Sequence, residues 1–92
     1  MRTFNQIILE GAVGSHMIEL GDDGLWNGQF DIHVQMNEST VQVFDCRATE
    51  SALVKLDGIG GHDVRVEGRI MIHNGGLLDG QPYIEVSKLA IL

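Results

Sequence analysis

The sequence predicts a mainly β fold, a five-stranded barrel with one short helix between strands 3 and 4. Three observations predict it. In residues 64–72 the apolar Val64, Val66, Ile70 and Ile72 alternate with Arg65, Glu67, Arg69 and Met71, the period of a half-buried strand. Four further stretches share that alternation and are separated by turn residues. Two of the strands carry an interior glycine, Gly11 and Gly68, of the kind a small barrel uses where a strand turns a corner.

The first strand covers residues 5–14, with Ile7, Leu9 and Val13 on one face and Ile8 and Glu10 on the other. Outward Ile8 is covered either by a partner subunit or by a loop of the same chain. Gly14-Ser15-His16-Met17 matches a common affinity-tag remnant, yet it lies inside the chain between strand-like segments and is either native or a replaced loop. After the turn residues Gly21-Asp22-Asp23-Gly24 the second strand runs through Met36. It turns Phe30, Ile32, Val34 and Met36 inward and Gln29, Asp31, His33 and Gln35 outward. The link Asn37-Glu38-Ser39 makes a hairpin with residues 40–46, where Val41 and Val43 are expected inward and Gln42 and Phe44 outward.

Thr49 is placed to cap a helix over residues 50–56, with Gly58 just past its end and Ala52, Leu53 and Leu56 as its apolar stripe. A helix this short holds only by packing on the barrel. The glycine-rich linker 57–61 lacks a phosphate-loop lysine and precedes a strand, which argues against a nucleotide site. Strand 4 follows, then a hairpin bounded by Asn74-Gly75 and Asp79-Gly80 with Leu77 and Leu78 at its tip. The last strand covers residues 83–92 behind Pro82.

Composition narrows the function. The 92 residues make one domain over residues 1–92, and no apolar run reaches membrane-span length. The N-terminus lacks a signal-peptide pattern, so a cytoplasmic location is expected. Lone Cys46 reads as a small buried apolar residue. His16, His33, His62 and His73 are scattered without ligand spacing, so neither metal nor cofactor is expected. No nucleophile with a neighbouring base appears, which argues against an enzyme. The formal charge of −7 opposes nonspecific attraction to a polyanion.

Three motifs in order carry a resemblance. Asn5-Gln6-Ile7-Ile8-Leu9-Glu10-Gly11-Ala12-Val13-Gly14 resembles the opening strand of bacterial single-stranded DNA-binding proteins, Val64-Arg65-Val66-Glu67-Gly68-Arg69-Ile70 their fourth strand, and Tyr83-Ile84-Glu85-Val86 their last. The related primosomal replication accessory proteins fit almost as well. The resemblance implies a five-stranded Greek-key OB-fold that stacks bases on aromatic rings while basic residues track phosphates. It points to Phe44 as the outward stacking residue of strand 3, with Trp26 and then Tyr83 as further candidates. Arg47, Lys55, Arg65, Arg69 and His73 are the candidate phosphate contacts. Arg65, Arg69 and His73 share a face of strand 4 that is either a phosphate track or a solvated face with Glu67 pairing across it. Ile8 and Glu10 are the candidate contacts of a homodimer or homotetramer.

The chain also departs from the family. The hairpin after strand 2 is short, Glu38 stands where a stacking aromatic is common, and the acidic partner-recruiting tail is missing. The expectation is a noncatalytic single-stranded DNA-binding protein of replication, recombination or repair, with a short footprint and replication proteins as further partners. The alternative is an OB-fold protein-interaction or oligomerisation module that has lost strong DNA binding. It expects Phe44 buried and the outward sheet acidic. An oligosaccharide ligand is a third reading, because the fold alone does not fix the ligand.

Overall fold

Five strands close into a barrel in the order β1-β2-β3-β5-β4 in the computed structural model, which describes residues 4–48, 50–56 and 58–92. They are β1 (Ile7–Leu20), β2 (Trp26–Asn37), β3 (Thr40–Ala48), β4 (Asp63–Ile72) and β5 (Pro82–Ile91). Neighbours are antiparallel except β3 and β5, which pair parallel over three residues. This is the expected Greek-key barrel. Between β3 and β4, α1 (Glu50–Leu53) tightens into a single 3-10 turn, Val54–Leu56. The helix occupies the predicted span; the Thr49 cap lies outside the described residues.

The core is the inner face of this barrel. Phe30 and Ile32 from β2, Val64 and Val66 from β4, and Ile84, Val86 and Leu89 from β5 are buried together with Val13 and Cys46. Ala52, Leu56 and Ile59 close one end from the helix and the linker behind it. Gly28 of β2 lets that helix approach, because a Cβ there would meet Leu53 and Leu56.

The first strand is longer than predicted. Opposite Asp31 it carries a bulge of Gly14 and Ser15, and then pairs His16 with Phe30 and Leu20 with Trp26. A bulge bends the strand and helps one strand serve two neighbours, β4 along Ile7 to Ala12 and β2 from Ala12 to Leu20. The freed backbone groups find partners: Ser15 N–H donates to Asp31 Oδ1 at 3.2 Å, Val13 N–H to the His62 carbonyl at 3.0 Å, and Gly61 N–H to the Val13 carbonyl at 2.9 Å. Gly14-Ser15-His16-Met17 is therefore built into the barrel wall. At the other end Asn5 stands in for a strand residue, its amide donating to the Ile70 carbonyl at 2.8 Å and accepting from Ile70 N–H at 3.0 Å.

Several expected faces are corrected. Val41 and Val43 are half exposed, whereas Phe44 is partly buried and packs against the core. The register explains this: Phe44 pairs with buried Ile32, and Val43 with exposed His33. On β4, Ile70 and Ile72 share the strand with buried Val64 and Val66 but are themselves exposed, as is Met36 on β2. These residues lie toward strand ends that run past the closed part of the barrel. Alternation assigns a side of the sheet, not a depth.

Candidate nucleic-acid interface

One cleft of about 260 Å³ opens on the outer face of β2 and β3, between the β1 bulge and the β4–β5 hairpin. Local structure aims its side chains. On β3, Asp45 and Arg47 point outward on either side of buried Cys46. The thiol of Cys46 is pushed up to about 12, first by burial and then by the charges of Asp45 and Asp31, so it stays protonated and inert at neutral pH. On β5, Tyr83 follows Pro82 and pairs with Met71. His73 sits at the neck of the hairpin, where its N–H donates to the Gln81 carbonyl at 2.8 Å and its carbonyl accepts from Gly80 N–H at 2.9 Å. Gly75, Gly76 and Gly80 at φ of 86°, 75° and 82° turn the loop back, and the Asp79 carboxylate accepts from Gly75 N–H at 2.6 Å. Leu77 at the tip is fully exposed; Leu78 folds back to line the cleft.

At the centre of the cleft the rings of His73 and Tyr83 lie 4.4 Å apart, tilted by 40°. The Arg47 guanidinium stands 5.0 Å from the centroid of the Tyr83 ring. This gives an aromatic platform of two adjacent rings with a cation over one of them. Two carboxylates share the wall. Asp31 accepts from Ser15 N–H and pairs with His33 Nε2 at 2.9 Å. Asp45 is exposed, and its carboxylate has no hydrogen-bond or ion-pair partner among the described residues.

A second cleft of about 340 Å³ adjoins the first and is lined by Ile7, Val43, Phe44, Ile70 and Ile84. Tyr83 and Asp45 line both clefts. They form the shared wall.

The structure brings together only part of the predicted set. Arg47 and His73 meet in the first cleft, and Phe44 contributes to the second from its partly buried position. The outward stacking geometry expected of Phe44 is not found, because its register turns it toward the core. Phe44→Ala is accordingly expected to cost about 2 kcal/mol of stability, read as a lower chemical-unfolding midpoint, before any effect on binding is considered. Trp26 is 60% exposed at the start of β2 and lines neither cleft.

The remaining cations lie elsewhere and are engaged. Lys55 donates to the Leu89 carbonyl at 2.9 Å and shares a third cleft with Arg65 and Lys88. Arg65 bonds Glu10 at 2.8 Å across the β1–β4 pair, and this hydrogen bond is the main reason its guanidinium pKa is raised further. Arg69 bonds Glu85 at 2.9 Å across β4 and β5. The pairing of Glu67 is with Lys88, at 3.9 Å. Ile8 is exposed, as expected of its face. Among the described residues no group of His, Cys, Asp or Glu is arranged to hold a metal ion, and no helix is long and apolar enough to cross a membrane.

Tyr83 was legible as a candidate, but its central place was not. The signal was present in the hairpin: Asn74-Gly75 and Asp79-Gly80 fold β5 back on β4, which brings position 83 close to 73. Asp31 reads in the sequence only as an outward polar residue, and Asp45, of the same parity as the valines expected inward, carries no signal there.

No family model matches the chain, and no curated protein matches its sequence. Solved structures do match its fold. A mitochondrial single-stranded DNA-binding protein from S. cerevisiae superposes with a TM-score of 0.82 at 14% identity, covering 99% of this chain and 96% of the other. A small single-stranded DNA-binding protein from Streptomyces coelicolor gives a TM-score of 0.75 at 16% identity, over 94% and 90% of the two chains. A deletion mutant of the single-stranded DNA-binding protein from Thermus aquaticus gives 0.77 at 21% identity, over 97% of this chain and 41% of that one. The fold of this chain is the OB-fold of those proteins.

Proposed function

We propose that this chain binds single-stranded DNA without catalysing a reaction, through the cleft centred on Tyr83. The observation that carries the reading is the stack of Arg47, Tyr83 and His73 on the outer face of β2 and β3, the face and loop region that OB-folds use for oligomeric ligands. A partly exposed ring with a guanidinium over it and a second ring beside it suits unpaired bases, because stacking on such a group needs no particular sequence. That the structures sharing this fold are named single-stranded DNA-binding proteins supports the same reading. A role in replication, recombination or repair, in the cytoplasm and as a homodimer or homotetramer through Ile8 and Glu10, completes it. So does contact of a longer strand with Trp26, Lys55, Arg65 and Arg69 outside the cleft.

Two observations favour the rival, a protein-interaction module: Phe44 packs inward, and Asp31 and Asp45 make the outer sheet partly acidic. Tyr83 supplies the aromatic surface that Phe44 does not. The two readings separate in one titration. A labelled mixed-sequence strand of about 30 nucleotides, without self-complementarity, is followed by fluorescence anisotropy from low to physiological salt. Among the described residues Arg47 is the one Lys or Arg lining the cleft, so a strand held there alone neutralises roughly one or two phosphates and log K should fall against log salt with a slope of about −0.7 to −1.4, steepening to about −2.8 to −3.5 if Lys55, Arg65 and Arg69 are also engaged. No binding at low salt and tens of micromolar protein would overturn the proposal in favour of the interaction module.

A further inference from the structure

On the reading that the Tyr83 cleft takes single-stranded DNA, we infer that Asp45 makes it selective for bases carrying an exocyclic amino group, cytosine above all, over thymine. Asp45 and Tyr83 are, among the described residues, the two common to both adjoining clefts, so a base that packs against Tyr83 in either cleft lies against a wall that includes this carboxylate.

The acceptor is open. Asp31, its partner across the strand pair, already accepts from Ser15 N–H and pairs with His33, and Glu10, Glu67 and Glu85 are occupied by Arg65, Lys88 and Arg69. Asp45 has no such partner among the described residues. It is exposed in the free protein and hydrated there, so a base that covers it must replace the water it displaces. Cytosine does this with its N4 amino group, the donor that Asp and Glu read in nucleic acids, and adenine and guanine carry amino groups of their own. Thymine presents one N–H between two carbonyl oxygens, whose negative ends face the carboxylate. A polar group left without its donor discriminates more strongly than a change of apolar bulk. The charge of Asp45 also repels phosphate, which keeps the backbone outside and turns the base edges inward, with Arg47 as the cleft's guanidinium for a flanking phosphate.

The test compares labelled oligocytidine and oligothymidine deoxynucleotides of about 15 residues, pyrimidines of similar stacking area that differ at this edge. Anisotropy titrations run at neutral pH, where cytosine is unprotonated. The unmodified protein is expected to bind the cytidine strand about tenfold more tightly. Asp45→Asn keeps the size, removes the charge and offers an amide that pairs with either base, so the ratio should fall to about one as thymidine binding tightens. Equal affinities for the two strands, a thymidine preference, or a ratio unchanged in Asp45→Asn would overturn the inference while the single-strand reading stands. Failure of the unmodified protein to bind either strand would overturn both.

Discussion

Replacing Tyr83 by alanine is expected to weaken single-strand binding by about 5- to 150-fold, the equivalent of the roughly 1–3 kcal/mol that stacking one base on an aromatic ring contributes. The ring is the wall between the two clefts, so its loss removes the stacking surface of both. It also leaves Arg47 without the ring face it stands over and His73 without its neighbour. Tyr83 is partly exposed at the start of β5, away from the buried run of Ile84 and Val86, so the barrel should survive the change. Circular dichroism and the unfolding midpoint of the variant check this. Tyr83→Phe, which keeps the ring and loses the hydroxyl, should bind within about twofold of the unmodified protein. An alanine variant that binds as tightly as the tyrosine would move the site elsewhere, and exposed Trp26 would be the next residue to substitute.

The largest effect on stability is expected at Gly68. A Cβ there would run into the carbonyl oxygen of Glu85 and the Cα of Val86, backbone atoms of the paired strand that cannot rotate away. The register of β4 against β5 shifts at Glu67/Gly68, so this residue sits where the sheet coils most tightly to close. Gly68→Ala should therefore cost about 3 kcal/mol or more and lower the thermal midpoint by at least ~10 °C. Gly28→Ala makes a useful contrast, because its nearest obstacles are the side-chain ends of Leu53 and Leu56, with the Ala48 Cβ farther off. Those leucine ends can shift, and the loss should be smaller. Equal midpoints for Gly68→Ala and the unmodified protein in differential scanning calorimetry would refute the account of how the barrel closes.

How far the sequence carried is best seen strand by strand. Residues 64–66 alternate regularly and are β-branched at Val64 and Val66, so their buried face could be read directly, whereas on β5 Leu89 is buried out of step with Ile84 and Val86 across the register shift. The turn pairs Asn74-Gly75 and Asp79-Gly80 placed the last hairpin for the same local reason. The span of the short helix followed from Ala52, Leu53 and Leu56, and Gly58 behind them takes the positive φ of 76° that ends it. Motif order added what local physics could not, the closure of these pieces into one known barrel.

On β3 the local pattern misled. Thr40, Val41, Gln42, Val43 and Phe44 offer apolar residues of both parities, so the alternation has two solutions, and hydropathy alone favours burying the valines. Pairing with β2 selects the other, because Ile32 lies opposite Phe44 and a slip by one residue would turn Phe30 and Ile32 out of the core. The candidate site was partly legible for a related reason. Arg47 and His73 are visible as a cation and a ring, but their convergence on Tyr83 depends on three strands brought together from distant parts of the chain. What the sequence by itself determined is where the five strands lie and where most of them turn, though not the run of β1 past its bulge, since these follow from side-chain chemistry within a few residues. Only the tertiary structure decided which of two faces β3 presents, how deep Ile70 and Ile72 sit, and that Tyr83 and Asp45 share one wall, since register and closure are properties of strand pairs.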